Sequence, residues 1–422
     1  MNGNNMNNIT FKSLQKIIIV ILFFSQLLFS ISFGKISSFY ITIPFAIMII
    51  FYLISILGFF CGKISFSRKR IFLSLVMIFI FFINVEVTQY NFNLNSFCLY
   101  IFYFFSFALI DNRISINKLD CIIKMFITIL SILSLYGIYQ FIAYNFITGL
   151  SFKEIIPDNI MVGSYNTIQY VHGSLFGLDI VKAHSIFAEA SGLSKYAAIA
   201  LLLTIFYRKK LKLIKFIFFA IINFLALIFS LSGSGFIIII LCLFFIFLKA
   251  NVKNKIIILV SLFVMAMILS SFSQKELYNY YLNRFSEFST DGTSGYYRFI
   301  LPFKIGIENL KTNFFGFGIG NDAAALFIYT STETGIANGY GKIFVELGII
   351  GLLIFIIMLI NIKPKNEKKI NEIFVLYSIL ISLLFTTTIL NPSIWAFILF
   401  IEVSKQKNKG EKLYEKNIII YD

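Results

Sequence analysis

The sequence has 422 residues, of which 59% are hydrophobic and 13% are charged, and its formal net charge is +16. Soluble domains carry about 25% charged residues, so this composition, with a mean hydropathy of +0.87, excludes an ordinary soluble fold. A positive charge of this size would suggest nucleic acid in a soluble protein, but here the basic residues fall in short segments between long apolar runs. We therefore expect the lipid bilayer, and no nucleic acid, as the partner of this chain.

Long apolar segments follow one another along the chain. A membrane-spanning helix needs about 20 apolar residues, and runs this continuous favour helices over barrel strands, in which polar and apolar residues alternate. The predicted spans are 14–33, 39–60, 71–88, 94–110, 121–147, 191–207, 212–230, 234–248, 255–272, 337–361 and 372–390. Asn391-Pro392 predicts a turn, and a short apolar return leg follows it.

These segments predict an all-α polytopic integral membrane protein with about 12 transmembrane helices, forming a single membrane domain over residues 1–422. Charge predicts the sidedness. With a cytoplasmic N-terminus, the inner loops and both termini hold 26 of the 36 basic residues, whereas 12 of the 20 acidic residues lie outside. This asymmetry follows the positive-inside rule. Both termini are therefore predicted to be cytoplasmic, and residues 391–404 either span the membrane or form half of a re-entrant hairpin.

Two outer segments are too long to be simple connectors, namely the first loop (148–190) and the second loop (273–336). Long loops in compact proteins are functional or disordered, and the aromatic residues in both disfavour disorder. Residues 298–311 mix charged and apolar side chains, as an amphipathic helix at a membrane surface does. The run Gly316-Phe-Gly-Ile-Gly320 has no preceding strand and no following GK[ST], so it predicts a tight turn rather than a nucleotide loop.

Ionisable residues near the outer ends of the spans are the first candidates for function, because such groups are costly in a membrane. They are Glu86, Glu189, Lys195, Lys342 and Glu346. The alternative is that they lie among lipid headgroups at little cost. The outer loops add Lys182, His184, Arg284 and Arg298. Arginine pairs its planar fork with phosphate oxygens, so the two arginines predict contact with a lipid pyrophosphate, with ordinary loop solubility as the alternative.

Metal and nucleophile motifs are missing from the sequence. It has no Asp-X-Asp pair, no histidine-rich cluster and no Ser-His-Asp order that the spans could assemble. We therefore predict no metal site and no cofactor.

Four stretches carry a family resemblance. They are His184-Ser-Ile-Phe-Ala-Glu189-Ala-Ser191-Gly before a span, the turn Ser230-Leu-Ser-Gly-Ser-Gly235, the run from Arg284 through Arg298 to Gly320, and Asn338-Gly-Tyr-Gly-Lys-Ile-Phe-Val-Glu346-Leu-Gly348-Ile-Ile-Gly351. In this order they resemble the O-antigen polymerase and O-antigen ligase superfamily of bacterial envelope proteins. Ala337 stands where ligases usually carry a histidine, which favours a polymerase. The arginine expected in the first stretch is absent, with Lys182 or His184 the nearest substitutes.

The resemblance implies a metal-independent glycosyltransferase in the bacterial cytoplasmic (inner) membrane. It would join a polyprenyl-pyrophosphate-linked glycan to a lipid-linked repeat unit at the outer face, making lipopolysaccharide O-antigen, capsule or exopolysaccharide. A flippase and a chain-length regulator are the implied partners. The alternatives are O-antigen ligase-type transfer and a lipid-linked oligosaccharide flippase. A flippase would carry polar residues along its interior, and a structural protein would leave the outer arginines unexplained.

The resemblance also implies roles for individual residues. Arg298, Arg284 and Lys342 would stabilise the leaving pyrophosphate electrostatically. Glu189 would be the general base, with His184 as its substitute. The predicted substrate-binding residues are Lys342, Asn338, Glu346, Lys182 and Lys195.

Overall fold

The computed structural model describes residues 10–36, 39–88, 93–116, 118–147, 160–162, 172–175, 178–249, 255, 286–330, 335–364 and 372–405. This part of the chain is mostly helical. Its longer helices are α1 (Phe11–Ser25), α2 (Ile43–Phe60), α3 (Arg68–Val87), α4 (Leu94–Ser106), α5 (Leu119–Phe146), α6 (Ala190–Phe206), α7 (Leu213–Phe229), α8 (Ser234–Lys249), α12 (Gly339–Ile362), α13 (Glu372–Leu384) and α14 (Pro392–Ser404). Three short helices precede α12, namely α9 (Ser294–Phe299), α10 (Leu301–Asn309) and α11 (Asp322–Thr330).

The length and apolar composition of these helices are those expected of a multi-pass membrane protein. Within the described ranges, 5 helices are long and apolar enough to cross a membrane, and six shorter apolar helices accompany them. The predicted span 255–272 lies outside the described residues except for its first residue. Large apolar side chains point outwards, with Phe60 80% and Ile214 82% exposed. In a bilayer these side chains contact lipid.

The first two predicted spans are wrong at their facing ends, over residues 29–33 and 39–42. The first candidate span ends in a 3-10 turn (Gln26–Leu28), and an antiparallel hairpin of β1 (Ser32–Ile36) and β2 (Phe39–Thr42) follows it. Helix α2 begins only at Ile43, since Pro44 suits the first turn of a helix and the Thr42 hydroxyl accepts a hydrogen bond from the Phe45 amide at 3.4 Å. A second hairpin, β3 (His172–Leu175) with β4 (Leu178–Val181), lies in the first loop.

Helix α14, the predicted return leg, is enclosed by the bundle. Every residue from Ser393 to Ser404 is buried, as expected of a helix that is apolar all round. Trp395 is fully buried, donates its indole N–H to the Ile389 carbonyl at 2.8 Å and stacks on Tyr103. The predicted span 372–390 is shorter than expected, because α13 ends at Leu384 and a turn precedes α14.

A buried ion pair joins several helices at one end of the bundle. Arg70 of α3 contacts Glu402 of α14 with Nη1 to Oε1 at 2.8 Å, and its Nη2 donates to the Ile110 carbonyl at 2.5 Å. Lys405, just after α14, donates to the carbonyl of Asn361 near the end of α12 at 2.6 Å. The start of α3 and the ends of α12 and α14 therefore meet at the same end.

Candidate active site

Helix α12 carries the fourth sequence stretch and has an irregular backbone. The Asn338 side chain caps its first turn by accepting from the Tyr340 and Gly341 amides at 3.0 and 3.1 Å. Lys342 and Glu346 are four residues apart and so lie on one face of the helix. Gly348 has φ 65° and ψ −164° inside the helix, a combination essentially restricted to glycine. The helix is kinked at this residue.

The kink provides the docking site for the glycine-rich run of the second loop. The carbonyls of Val345 and Glu346 accept from the amides of Phe317 and Gly318 at 2.8 and 3.0 Å. Gly316, Gly318 and Gly320 all have positive φ, which lets the backbone curl tightly over the helix. The run is therefore the tight turn that the sequence predicts, and it is fastened to the preceding turn of α12.

A buried charge cluster lies beneath this turn. Lys342 Nζ is 2.7 Å from Asp322 Oδ1 and 2.8 Å from Glu346 Oε1, and none of the three side chains is more than 8% exposed. Glu346 Oε1 also accepts from the Gly320 amide at 3.0 Å, and its other oxygen accepts from the Tyr100 hydroxyl. Lys342 is thus neutralised by two carboxylates. The arrangement holds the second loop to α12. The charge of Lys342 is compensated within the cluster, which weakens its attraction for a phosphate.

Asp322 is the first residue of α11, in the second loop and outside the predicted spans. Burial opposes its ionisation, but Lys342 outweighs that effect, and the pKa of Asp322 lies below its usual value. Its second oxygen accepts from the Ile336 amide at 2.7 Å, a further hydrogen bond that favours the carboxylate. Asp322 is therefore ionised at neutral pH.

A second group of charges forms where both loops meet α6. Lys195, on α6, donates to the Thr386 carbonyl at 2.6 Å and to the Thr387 hydroxyl at 3.3 Å. Arg298 at the end of α9 and Glu189 at the start of α6 are both close enough to Lys195 to interact with it electrostatically. The fold thus brings Arg298 within electrostatic range of Lys195, a predicted site residue more than 100 positions away in the sequence.

Arg298 has unused hydrogen-bonding capacity. Its side chain is half-buried, and among the described residues it makes neither a hydrogen bond nor an ion pair. An ammonium has three donors, and Lys195 uses two of them on Thr386 and Thr387. Glu189 is exposed and accepts from the Ser191 hydroxyl at 2.9 Å. The group therefore offers cationic donors beside an exposed carboxylate.

His184 has a different environment. Its Nε2 lies 2.9 Å from Gln140 Nε2 and its Nδ1 lies 3.1 Å from the Phe187 carbonyl. An amide nitrogen can only donate, so Nε2 accepts and the proton resides on Nδ1. Both ring nitrogens are therefore engaged within the fold. Lys182 is also buried, at 8% exposure.

The remaining predicted residue, Arg284, lies outside the described residues. Sequence reasoning missed Asp322, Tyr100 and Asn84, whose side-chain oxygen accepts from the Ile319 amide at 3.0 Å. The available signal was Lys342 itself, because a lysine in an apolar span requires a carboxylate partner. Across the described ranges no group of three or more His, Cys, Asp or Glu side chains could hold a metal ion.

Comparison with known families adds one match. Residues 218–356 match the family model for O-antigen ligase, whose members transfer glycans and act on lipid-linked oligosaccharides. The match includes the Ser230–Gly235 turn, the second loop and most of α12, whereas the stretch around Glu189 precedes it. No curated protein and no solved structure matches the chain. The match over residues 218–356 confirms the resemblance to the O-antigen polymerase and ligase superfamily.

Proposed function

We propose that the protein is a polysaccharide repeat-unit polymerase of the bacterial cytoplasmic membrane. It transfers a glycan from polyprenyl pyrophosphate onto a lipid-linked repeat unit at the outer face. The observation that carries this proposal is that Arg298 and Glu189 both lie within electrostatic range of Lys195. The family match supports glycan transfer as the reaction class.

Electrostatics favours an anionic ligand at this site. Like charges repel, and the repulsion is stronger where burial lowers the effective dielectric constant. Arg298 and Lys195 nevertheless lie within electrostatic range of each other, with Arg298 unpaired among the described side chains. A pyrophosphate between them would relieve the repulsion and fill the free donors of both. The guanidinium would bind two phosphate oxygens in its planar fork, and Lys195 would offer its remaining N–H.

The proposed reaction is a substitution at the anomeric carbon of the donor sugar. The acceptor hydroxyl forms the new C–O bond, and the bond between that carbon and the pyrophosphate oxygen breaks. Negative charge grows on the leaving pyrophosphate, where Arg298 and Lys195 stabilise it. Glu189 takes the proton of the hydroxyl as general base, a role that its exposure supports. Arg284 remains a predicted third cation for the same pyrophosphate.

The other predicted residues support this site from further away. Lys342 and Glu346 are tied to one another and to Asp322, so we assign them to the frame of the second loop instead of to the phosphate. Asn338 caps α12, and His184 shapes the end of the first loop through Gln140. No metal or cofactor takes part in the proposed step.

We also propose the topology, with about 12 spans, cytoplasmic termini and both long loops outside. The contacts of Arg70 with Glu402 and of Lys405 with Asn361 support it, because they join segments that the charge pattern predicts to be cytoplasmic. Helices α13 and α14, which flank the turn containing Thr386 and Thr387, have 13 residues each. Each is therefore about 20 Å long, shorter than the hydrocarbon core of about 30 Å. On this topology the turn that binds Lys195 lies below the outer surface, at a depth suited to a lipid-borne pyrophosphate.

Ligase-type transfer is the second candidate, because the matching family model describes O-antigen ligase. Both reactions release polyprenyl pyrophosphate, but they differ in the acceptor. A polymerase extends a lipid-linked repeat, whereas a ligase moves finished chains to another lipid. Ala337, in the place of the ligase histidine, supports the polymerase. A flippase and a chain-length regulator remain the proposed partners.

Complementation of a deletion strain tests the function. Loss of a polymerase leaves surface glycans with a single repeat, and loss of a ligase leaves long chains on polyprenyl pyrophosphate. Loss of a flippase abolishes export of lipid-linked repeats. Only the first phenotype agrees with the proposal.

Variants of Arg298 test the site in the same strain. Arg298→Ala should leave single-repeat products with normal protein abundance, and Arg298→Lys should restore only part of the ladder, since lysine keeps the charge and loses the fork. Lys311→Ala is the matched control, because Lys311 is an exposed cation of the same loop. A full ladder from Arg298→Ala would refute the role of this residue.

A further inference from the structure

The second loop covers the first half of α12, and we call the covering part of the loop, from α10 to Gly320, the sheath. Every residue from Gly339 to Gly348 is buried. On one side α10 lies so close that a Cβ on Gly341 would be 2.7 Å from Pro302 Cβ, and one on Gly306 would be 2.4 Å from the ring of Phe344. At the kink, a Cβ on Gly348 would be 1.9 Å from the Phe314 carbonyl oxygen. These close contacts allow the second loop only one position along the axis of α12.

Arg298 is directly connected to this sheath. Helix α9 ends at Phe299 and α10 begins at Leu301, so one residue separates the helix of Arg298 from the helix that packs on α12. A displacement of α10 along α12 therefore moves Arg298 relative to Lys195 on α6.

The charged contact that fixes the register is Asp322–Lys342. Asp322 belongs to the loop and Lys342 to the helix, and their charged atoms are 2.7 Å apart at 8% side-chain exposure on both sides. We infer that Asp322 is a positioning residue: through Lys342 it holds the second loop on α12 and thereby sets the distance of Arg298 from Lys195. This inference rests on the proposed role of Arg298 as the cation for pyrophosphate.

Asp322→Asn is the first test. Asparagine has the same shape and still accepts from the Ile336 amide, but it does not match the charge of Lys342. We expect the initial rate of chain extension by the reconstituted full-length protein to fall about tenfold or more, as for loss of one buried charge-assisted hydrogen bond. Asp291→Asn is the matched control, since Asp291 is an exposed carboxylate of the same loop, and it should keep the parent rate. An unchanged rate in Asp322→Asn would overturn the inference.

A disulfide between α10 and α12 tests whether Asp322 acts by positioning the loop or by taking part in the reaction itself. Pro302→Cys with Gly341→Cys puts two thiols at the contact of α10 with α12, and a separation of about 1 Å brings their Cβ atoms to disulfide distance. The exposed native residues Cys61, Cys98 and Cys121 are replaced by serine. Oxidation should restore most of the rate lost in Asp322→Asn, and reduction should remove that gain. A disulfide that forms without raising the rate would overturn the positioning role.

Trypsin cleavage after the exposed residues Lys304 and Lys311 reports release of the loop whatever reaction the protein catalyses. Cleavage should be faster in Asp322→Asn and slow again after oxidation of the two engineered cysteines. If Asp322→Asn does not accumulate, Asp322→Glu carries the same test, because it keeps the charge and shifts the carboxylate by one methylene. It should lose part of the rate and regain it on oxidation, and no regain would overturn the inference.

The Arg298→Ala variant distinguishes the two proposals. If it keeps the full rate, the proposed cation site is wrong, whatever Asp322 does. If it loses the rate while oxidation fails to rescue Asp322→Asn, the positioning inference alone is wrong.

Discussion

Gly348 has a backbone conformation that an alanine would not tolerate. Its φ of 65° and ψ of −164° cost a residue with a side chain about 1–3 kcal/mol. A Cβ would also lie 1.9 Å from the Phe314 carbonyl oxygen, so the second loop must move away. That movement breaks the hydrogen bonds from Phe317 and Gly318 to α12, each worth about 1 kcal/mol. We expect Gly348→Ala to destabilise the protein by about 3–5 kcal/mol.

The assay is the loss of monodisperse protein in detergent after heating, followed by size-exclusion chromatography. Gly233→Ala is the matched control, because a Cβ there meets no atom within 4 Å and surface substitutions usually change stability by less than about 0.5 kcal/mol. Gly348→Ala should lose its monodisperse peak at a clearly lower temperature than the control. Equal midpoints for the two variants would refute the idea that the kink at Gly348 fastens the loop to α12.

Two further predictions concern charge. Arg70→Met should destabilise the bundle by about 1–3 kcal/mol, because it removes the partner of Glu402 Oε1 and leaves only Lys405 paired with that carboxylate, whereas Arg68→Ala at an exposed position should not; equal heat stability of the two variants would contradict this. The folded-state pKa of Asp322 lies below its unfolded value of 3.8, so its stabilisation is present above about pH 4 and is lost as the pH falls through the lower folded value. Pepsin should therefore cut the second loop faster in strong acid, and Asp322→Asn should remove the contribution of this group to that acid dependence; an unaltered profile would contradict the assignment.

The sequence predicted well what depends on local composition. Apolar runs mark the helices because a span must be continuous and uncharged, and Pro392 marks the start of α14 because proline suits the first turn of a helix. The segments 29–33 and 39–42 were mispredicted for the same reason. Their residues are apolar enough to extend the neighbouring spans, whereas the observed pairing of Ser32 with Thr42, of Lys35 with Tyr40 and of Ile36 with Phe39 shows a hairpin.

The site residues also divide into those that the sequence could indicate and those that depend on the fold. Lys342 and Glu346 could be recognised as unusual in an apolar span, but Asp322 could not be named as their partner, because it comes to Lys342 through a turn whose shape depends on three glycines with positive φ. The proximity of Arg298 to Lys195 depends on packing between residues more than 100 positions apart. Sequence patterns therefore indicated the residue types, and the fold decided which were paired and which were free.

The central claim is that this protein extends a lipid-linked glycan. It is tested most directly by reconstituting the purified full-length protein in lipid vesicles with a polyprenyl-pyrophosphate-linked repeat unit as the sole sugar substrate. The account predicts a ladder of longer lipid-linked glycans, with one free polyprenyl pyrophosphate released for each bond formed, and no ladder from Arg298→Ala. Active protein that moves the substrate across the bilayer without extending it or releasing pyrophosphate lipid would contradict the account.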